Sequence, residues 1–354
     1  PAVPSDAGRT GGLDETAGDV DMRARRILIT GASGFTGRHA VAYFHAAGAE
    51  VTAVIRSAAA ASGIFPAGVK RQICDLSDRR AVNSMIEEVE PEEVLHLAGK
   101  NSVPESWQDP LLYMETNVMS TLYLLEGLRT RPARRILVAG SRLKFKPGLA
   151  GGPPHPYSLS KTLEELVSLA WCTLFKQPVL LAEPCNLIGP GPSTGFCSLL
   201  AQHIVRSEAA AGTSETLPPF RLSSRFALRD FLDVRDAVRA YDYILRSGEP
   251  GKIYRIDSGT QRGLGAVAGQ LLAHAAAPVA MDWGPVDAGD EQEPAPSAAA
   301  VPAVLSSALV NQEELSASPE DNAARLGWSP LIELSRSLAD IVDYYRASRE
   351  GGAS

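Results

Sequence analysis

Tyr157 and Lys161 stand four residues apart in the run Tyr157-Ser158-Leu159-Ser160-Lys161. On a helix that spacing puts a phenol and an ammonium on one face, a turn apart. A free phenol titrates near about pH 10, too high for fast proton exchange at neutrality. A neighbouring ammonium favours the phenolate and brings the group toward its working range. Ser141 follows the apolar run Ile136-Leu137-Val138-Ala139-Gly140, at the carboxyl end of an expected strand, where open sheets collect their chemistry. Far upstream, Gly31-Ala32-Ser33-Gly34-Phe35-Thr36-Gly37 forms a glycine turn that can aim backbone N–H groups at a pyrophosphate.

The elements that must position these groups are legible from patterning. Arg26 to Thr30 reads as a strand buried on both faces, and Phe35 to Ala47 reads as a helix stopped by Gly48. Further strands are expected at Val51–Ile55, Val69–Cys74, Val94–Leu97, Ile136–Ala139 and Val179–Ala182. Helices are expected at Asp78–Val89, roughly Pro104–Leu128 and Ser158–Phe175. Regular alternation predicts an α/β fold of Rossmann type, a doubly wound parallel sheet covered on both faces. After Pro184 the rhythm breaks, which predicts a smaller C-terminal lobe over the strand ends. The expected organisation is a disordered tail at 1–21, a nucleotide-binding domain at 22–182 and a substrate lobe at 183–350, interleaved with the first domain around 229–258. Residues 285–303, rich in Pro, Ala and acids, read as a long surface loop.

Composition narrows the partners. A chain of 354 residues, 45% of them hydrophobic, can bury one large core or two joined ones. Its formal charge of −7 offers no basic field for nucleic acid or an anionic membrane surface. No apolar run approaches the roughly 20 residues needed to span a bilayer, and no signal-peptide pattern precedes Met22. Cys74, Cys172, Cys185 and Cys197 form no CxxC pair and no metal-ligand spacing with the six histidines. They are expected as reduced residues of a cytoplasmic protein without a metal.

The glycine spacing G-x-x-G-x-x-G, with Ser141, Tyr157 and Lys161 downstream, resembles the extended branch of the short-chain dehydrogenase/reductases, the epimerase/dehydratase family. Residues His96 to Trp107, Cys185-Asn186-Leu187-Ile188-Gly189-Pro190-Gly191 and Arg229 to Asp236 are most similar to GDP-4-keto-6-deoxymannose reductases and GDP-mannose dehydratases. The likeness runs from about Ile27 to Ser258 and weakly on to the last helix. It implies that Ser141 bonds the substrate carbonyl, that Tyr157 is the general acid and that Lys161 holds the nicotinamide ribose. It implies cofactor contacts from Gly31, Ser33, Gly34, Phe35, Thr36, Gly37, Asp75, Leu76, Leu97, Ala98, Gly99, Asn117 and Pro184. Substrate contacts would come from Lys100, Ser141, Asn186 and Arg229. At the end of the second strand, Arg56 stands where a carboxylate would select NAD, so NADP is favoured with NAD still open.

Three departures bear on the reaction. Leu143 occupies the position of the dehydratases' glutamate base and cannot accept a proton, which leaves plain reduction or oxidation. Only fifteen residues separate Ser141 from Tyr157, and Phe145-Lys146 replaces the usual Tyr-Gly. The family's late arginine, which clamps the second phosphate, has no counterpart, because no arginine lies between Arg262 and Arg325. Glu183 likewise stands where relatives carry arginine. Either another basic group replaces the clamp or the ligand is not a nucleotide sugar. The expected activity is NAD(P)H-dependent reduction of a 4-keto-6-deoxy nucleotide sugar in deoxysugar biosynthesis. The alternatives are a 4-epimerase that retains its cofactor, a non-sugar ketone reductase, or an idle cofactor-binding scaffold. Apolar residues Leu122, Leu124, Leu125 and Leu128, with Leu163, Leu166, Val167, Leu169, Ala170, Trp171 and Leu174, exceed the stripe needed to cover a sheet and predict a homodimer.

Overall fold

The computed structural model describes residues 25–57, 63–148, 151–213, 217–222, 224–284 and 322–351. The segments 1–21 and 285–303 lie outside the described residues. Seven parallel strands form the main sheet: β1 (Arg26–Thr30), β2 (Glu50–Ile55), β3 (Lys70–Ile73), β4 (Glu93–His96), β5 (Arg135–Ala139), β6 (Val179–Pro184) and β10 (Ile253–Ile256). Their order is β10-β6-β5-β4-β1-β2-β3, so strand order reverses between β1 and β4, the crevice where such sheets bind ligands. Ile27 and Ile29 enter the core on one face of the sheet and Leu28 the core on the other, as strands buried on both sides require.

The first face is covered by α1 (Phe35–Ala46) and α8 (Val234–Ser247), with Phe44, Tyr241 and Ile244 in its core. The second is covered by α2 (Arg79–Val89), α5 (Ser120–Thr130) and α6 (Pro156–Phe175), with Met85, Ile86, Leu124 and Leu128 inside. Arg25 ties the start of β1 to β4 and to α8, reaching Glu93 at 2.9 Å and Asp242 at 2.6 Å in a buried network. Losing one partner of such a network leaves an uncompensated buried charge, at a cost of about 3–5 kcal/mol.

The long helix expected over 104–128 is broken. Helix α3 (Val103–Gln108) stops at Asp109, whose φ of −138° is not helical. Pro110 then opens α4 (Pro110–Tyr113), and the Asp109 carboxylate accepts from Leu112 N–H at 3.0 Å. Proline cannot donate into a preceding turn but suits a first helical position, so Asp109-Pro110 ends one helix and starts the next. A π-helical turn (Met114–Met119) follows before α5. The helix expected from Ser158 starts two residues earlier, at Pro156.

A smaller lobe carries the sheet β11-β9-β7, from β7 (Asn186–Ile188), β9 (Leu228–Asp233) and β11 (Gln261–Gly263). It packs Ile188 and Phe231 against α7 (Phe196–Ala210), α9 (Leu264–Leu272) and α10 (Leu334–Gly351). A strand pair, β8 (Phe220–Arg221) with β12 (Met281–Asp282), lies beside it. No helix among the described residues is long and apolar enough to cross a membrane.

Candidate active site

The glycine turn leaves β1 under tight steric limits. Gly31 adopts φ +64°, and a β-carbon built there would stand 2.7 Å from Ala98 N. One built at Gly37 would lie 2.1 Å from the Gly31 carbonyl oxygen. These glycines let the start of α1 close onto the loop after β4. The cap residue Gly34 offers no side-chain acceptor and the first turn of α1 has no acid, so its end presents unmet N–H groups suited to an anion.

The loop after β4, Leu97 to Lys100, is held by Thr30 and Asn117. The Thr30 hydroxyl accepts from Leu97 N–H at 3.1 Å and from Ala98 N–H at 3.2 Å. Asn117, on the π turn, accepts from Lys100 N–H at 2.7 Å and donates to Lys100 O at 3.0 Å and to Ser160 Oγ at 2.9 Å. Both amide hydrogens are thus used within the protein, joining the β4 loop to α6. π turns often mark functional sites, and this one delivers that clip. The Lys100 ammonium is tied to Glu105 at 2.6 Å, and Glu105 also accepts from the Tyr113 hydroxyl at 2.9 Å.

Helix α6 begins with Pro156 at its first position and His155 as its cap. His155 Nδ1 accepts from Ser158 N–H at 2.9 Å, and burial holds the imidazole below its ordinary pKa, in the neutral form this bond needs. Its ring stacks on Tyr157 at 6.0 Å, and Tyr113 meets Tyr157 edge-on at 6.2 Å. Tyr157 is 5% exposed, with Ser141 and Lys161 acting on its phenol. Burial pushes the phenol up, Lys161 and Ser141 pull it down, Glu164 pushes it up again, and the balance is upward. Ser141 also accepts from Leu143 N–H at 3.0 Å, which fixes the loop that leaves β5.

Lys161 donates to Ala139 O at 3.0 Å and pairs with buried Glu164. Burial alone would lower the lysine, but Glu164 and the Tyr157 phenol hold it above its ordinary value. Thr121 reaches Glu164 at 3.4 Å and His96 Nε2 at 2.9 Å, and Thr30 lies 2.7 Å from His96 Nδ1. Burial, aided by Lys161, pushes His96 down to about 3, so it stays neutral between the two hydroxyls. A polar chain therefore runs from Lys161 through α5 to the end of β1.

Sequence reading missed a second cluster. Lys144 bridges Glu165 on α6 and Glu183 on β6, each at 2.5 Å, and Arg255 lies 3.5 Å from Glu183. Glu183, the residue standing in place of an arginine, was the available signal. Its charge is answered by a lysine on the Ser141 loop, which binds that loop to the Tyr157 helix.

The remaining candidates lie on two sides. Arg56 is exposed beyond β2, and its charge helps to hold the Asp75 carboxyl below the usual range, behind the two bonds from Ser77. Leu76 is buried beside them, and Pro184 ends β6. Asn186 and Arg229 stand on the small sheet. Asn186 donates to Asp230 O at 2.9 Å, and burial lowers the Arg229 guanidinium from its ordinary value.

Fold and site define a Rossmann-type oxidoreductase that takes a nicotinamide dinucleotide. Residues 27–257 match the family model described as NAD dependent epimerase/dehydratase family. The GDP-6-deoxy-D-mannose reductase of Pseudomonas aeruginosa is 30% identical over 250 residues, 67% of this chain and 76% of that one. A probable dTDP-glucose 4,6-dehydratase of Sinorhizobium fredii is 29% identical over 65% of this chain and 71% of its own. Among solved structures, RMD from Pseudomonas aeruginosa complexed with NADPH superposes with a TM-score of 0.66 at 25% identity, covering 91% of this chain and 99% of that one. The chain belongs to the NAD-dependent epimerase/dehydratase family, whose nucleotide-sugar reductases, dehydratases and epimerases use NAD(P). The residues fit that cofactor: the turn excludes any β-carbon at Gly31 and Gly37, the end of α1 is uncapped, and Lys161 stands beside the phenol.

Tyr157 and Lys161 each act on the other's protonation, and the Glu164 carboxylate holds the proton of both more firmly. Glu164→Gln removes that negative charge, so the pair deprotonates at lower pH. The alkaline limb of the pH–rate profile is therefore expected to move toward neutrality. Profiles of both proteins check this, and an unmoved limb, or one displaced to higher pH, would contradict it.

Proposed function

We propose that this chain reduces the ketone of a 4-keto-6-deoxy nucleotide sugar, using NADPH. The observation that carries the reading is one buried phenol whose protonation is drawn down by Ser141 and Lys161, with Leu143 where a second proton-transfer group would stand. Nearby Glu165 and Glu183 are both held by Lys144 and are not free to act as bases. The likeness to a GDP-6-deoxy-D-mannose reductase supports the substrate class.

Bound NADPH supplies a hydride to carbon 4. Tyr157 gives its proton to the ketone oxygen, so carbonyl and donors end as a secondary alcohol, NADP and a phenolate. The Ser141 hydroxyl donates to the same oxygen and aligns it with the phenol. Lys161 steadies the phenolate until solvent restores its proton. Preorganised donors at the atom where charge develops are the main source of such rate enhancement.

With a panel of 4-keto-6-deoxy nucleotide sugars, NADPH should be consumed in step with substrate. Tyr157→Phe should lower turnover by about two orders of magnitude, the scale of general-acid loss, and leave NADPH binding near the wild-type value. Undiminished turnover would remove Tyr157 from the role. A protein purified with nucleotide already bound, interconverting sugars without net NADPH consumption, would instead be a 4-epimerase.

Arg56 underlies the preference for NADPH, since a guanidinium there meets a 2′-phosphate. Arg56→Asp should raise the Kd for NADPH more than that for NADH by titration calorimetry, and equal changes would place Arg56 outside the site.

The α5 leucines Leu124, Leu125 and Leu128, expected as spare surface, instead cover the sheet and are buried. The chain is further proposed to form a homodimer through α6. Helix α6 buries a polar face, with Ser158, Ser160, Lys161, Glu164 and Ser168 inside. Three of its apolar residues are left outward: Leu166 is 45%, Leu174 68% and Phe175 39% exposed. Trp171, partly buried against the second core, packs edge-on against Phe175 at 5.1 Å. Two-fold pairing would cover this ridge. Light scattering should give a dimer mass at micromolar concentration and a monomer for Leu174→Glu, and a wild-type monomer would end the proposal.

A further inference from the structure

The chain that carries Ser141 stays tied to its surroundings for several residues after β5 has ended. Gly140 N–H still donates to Ala182 O on β6 at 2.8 Å. Leu143 N–H turns back onto Ser141 Oγ at 3.0 Å. Phe145 is clipped twice by one side chain of α6. The Thr162 hydroxyl accepts from Phe145 N–H at 3.0 Å and donates to Phe145 O at 3.2 Å. Thr162 is buried and directly follows Lys161, so both bonds refer the loop to the helix that carries the phenol.

Lys144 stands between these clips. It pairs with Glu165, two turns along α6 from Tyr157, and with Glu183 near the end of β6, at 2.5 Å each. Burial would lower the lysine, but the two carboxylates hold it above its ordinary value, so it stays charged. Arg255 on β10 lies 3.5 Å from Glu183 and balances the second acid. The four charges cancel in a setting largely withdrawn from water, where ion pairs are screened least. Breaking such a buried pair is costly, unlike breaking an exposed one. With two acids to hold, Lys144 is committed to the protein rather than to a substrate.

We propose that Lys144, seconded by Thr162, is a positioning residue that sets the Ser141 hydroxyl in place for the reacting ketone before substrate arrives. Lys144 acts through Ser141 and not on the substrate or the cofactor. The proposal rests on the reading of the reaction as ketone reduction with Ser141 donating to the carbonyl oxygen. A donor that stabilises developing charge must be preorganised, and a displacement of about 1 Å can cost about 100-fold in rate. The loop after β5 is by this account a fixed wall of the site and not a moving lid.

The test compares Lys144→Met with the wild-type chain in NADPH-dependent ketone reduction and in hydrogen exchange. The kcat should fall about 10- to 100-fold with KM held within about threefold, because the misplaced donor matters most as charge develops. The NADPH Kd should stay at the wild-type value, which also shows that the variant is folded. Lys144→Arg, able to keep both ion pairs, should restore most of the kcat. In a Ser141→Ala background, adding Lys144→Met should cost no more than about twofold further, since residues that act as a unit are not additive. An unaltered kcat, or losses that multiply, would overturn the proposal. Exchange of the Leu143 and Phe145 amides should quicken about tenfold or more in Lys144→Met, and unchanged protection would overturn it as well. If Lys144→Met does not fold, the double variant Lys144→Met with Glu165→Gln keeps the cluster neutral and takes its place with the same expectations. A wild type that reduces no ketone of the panel ends the reading of the reaction, and the exchange measurement then decides the anchor by itself.

Discussion

A lysine that must stay charged while almost wholly withdrawn from water is the constraint around which this site is arranged. A buried ammonium is stable only with a counter-charge and good acceptors. Here Ala139 O and Glu164 meet that need. Glu164 is reached in turn by Thr121, Thr121 donates to Asn117 O at 2.8 Å, and His96 links Thr121 to Thr30. The same hydroxyl of Thr30 holds the loop after β4. One desolvated charge therefore fixes the relation among β1, β4, β5, α5 and α6, the elements that carry the nucleotide turn and the phenol.

Much of this was legible in the chain because strands buried on both faces leave continuous apolar runs. Arg26 to Thr30 matches β1 residue for residue, and Ile136 to Ala139 falls one residue short of β5. The short strands of the small lobe escaped because β7 and β11 are three residues long and exist only through pairing with β9. The break at Asp109-Pro110 was overlooked because apolar residues continue on both sides of it. Glu164 was hidden for a different reason: in a helix with this many leucines, the apolar positions are read as the inward face. Serine, lysine and glutamate take that face instead, and periodicity by itself carries no sign of the inversion.

The Lys144 cluster shows how a departure from family pattern can be absorbed. An acid at 183 places a carboxylate at the end of a central strand, 3% exposed, where it could not remain alone. A lysine 39 positions earlier and an arginine on β10 neutralise it, and Glu165 completes the set. Composition could not connect these residues, because charges scattered along a sequence are ordinarily read as solvated surface. The short loop between Ser141 and Tyr157 acquires through Lys144 an anchor that a longer loop would need to find elsewhere.

Strand β10 and helix α8 belong to the main sheet in space but follow part of the small lobe in sequence. The chain passes outward after β6, returns at α8, passes outward again after β10, and packs Ala323 and Trp328 into the first core once more before α10. Repeated crossings tie the two layers, so the smaller unit cannot be cut away as a module without tearing an edge strand and a covering helix from the larger one. Any opening of the cleft must bend these tethers together, which favours a narrow breathing movement over a wide swing. Recombination that seeks to graft a new substrate lobe onto this nucleotide domain would therefore have to exchange several separate stretches while keeping both the segment from α8 to β10 and residues 322–328.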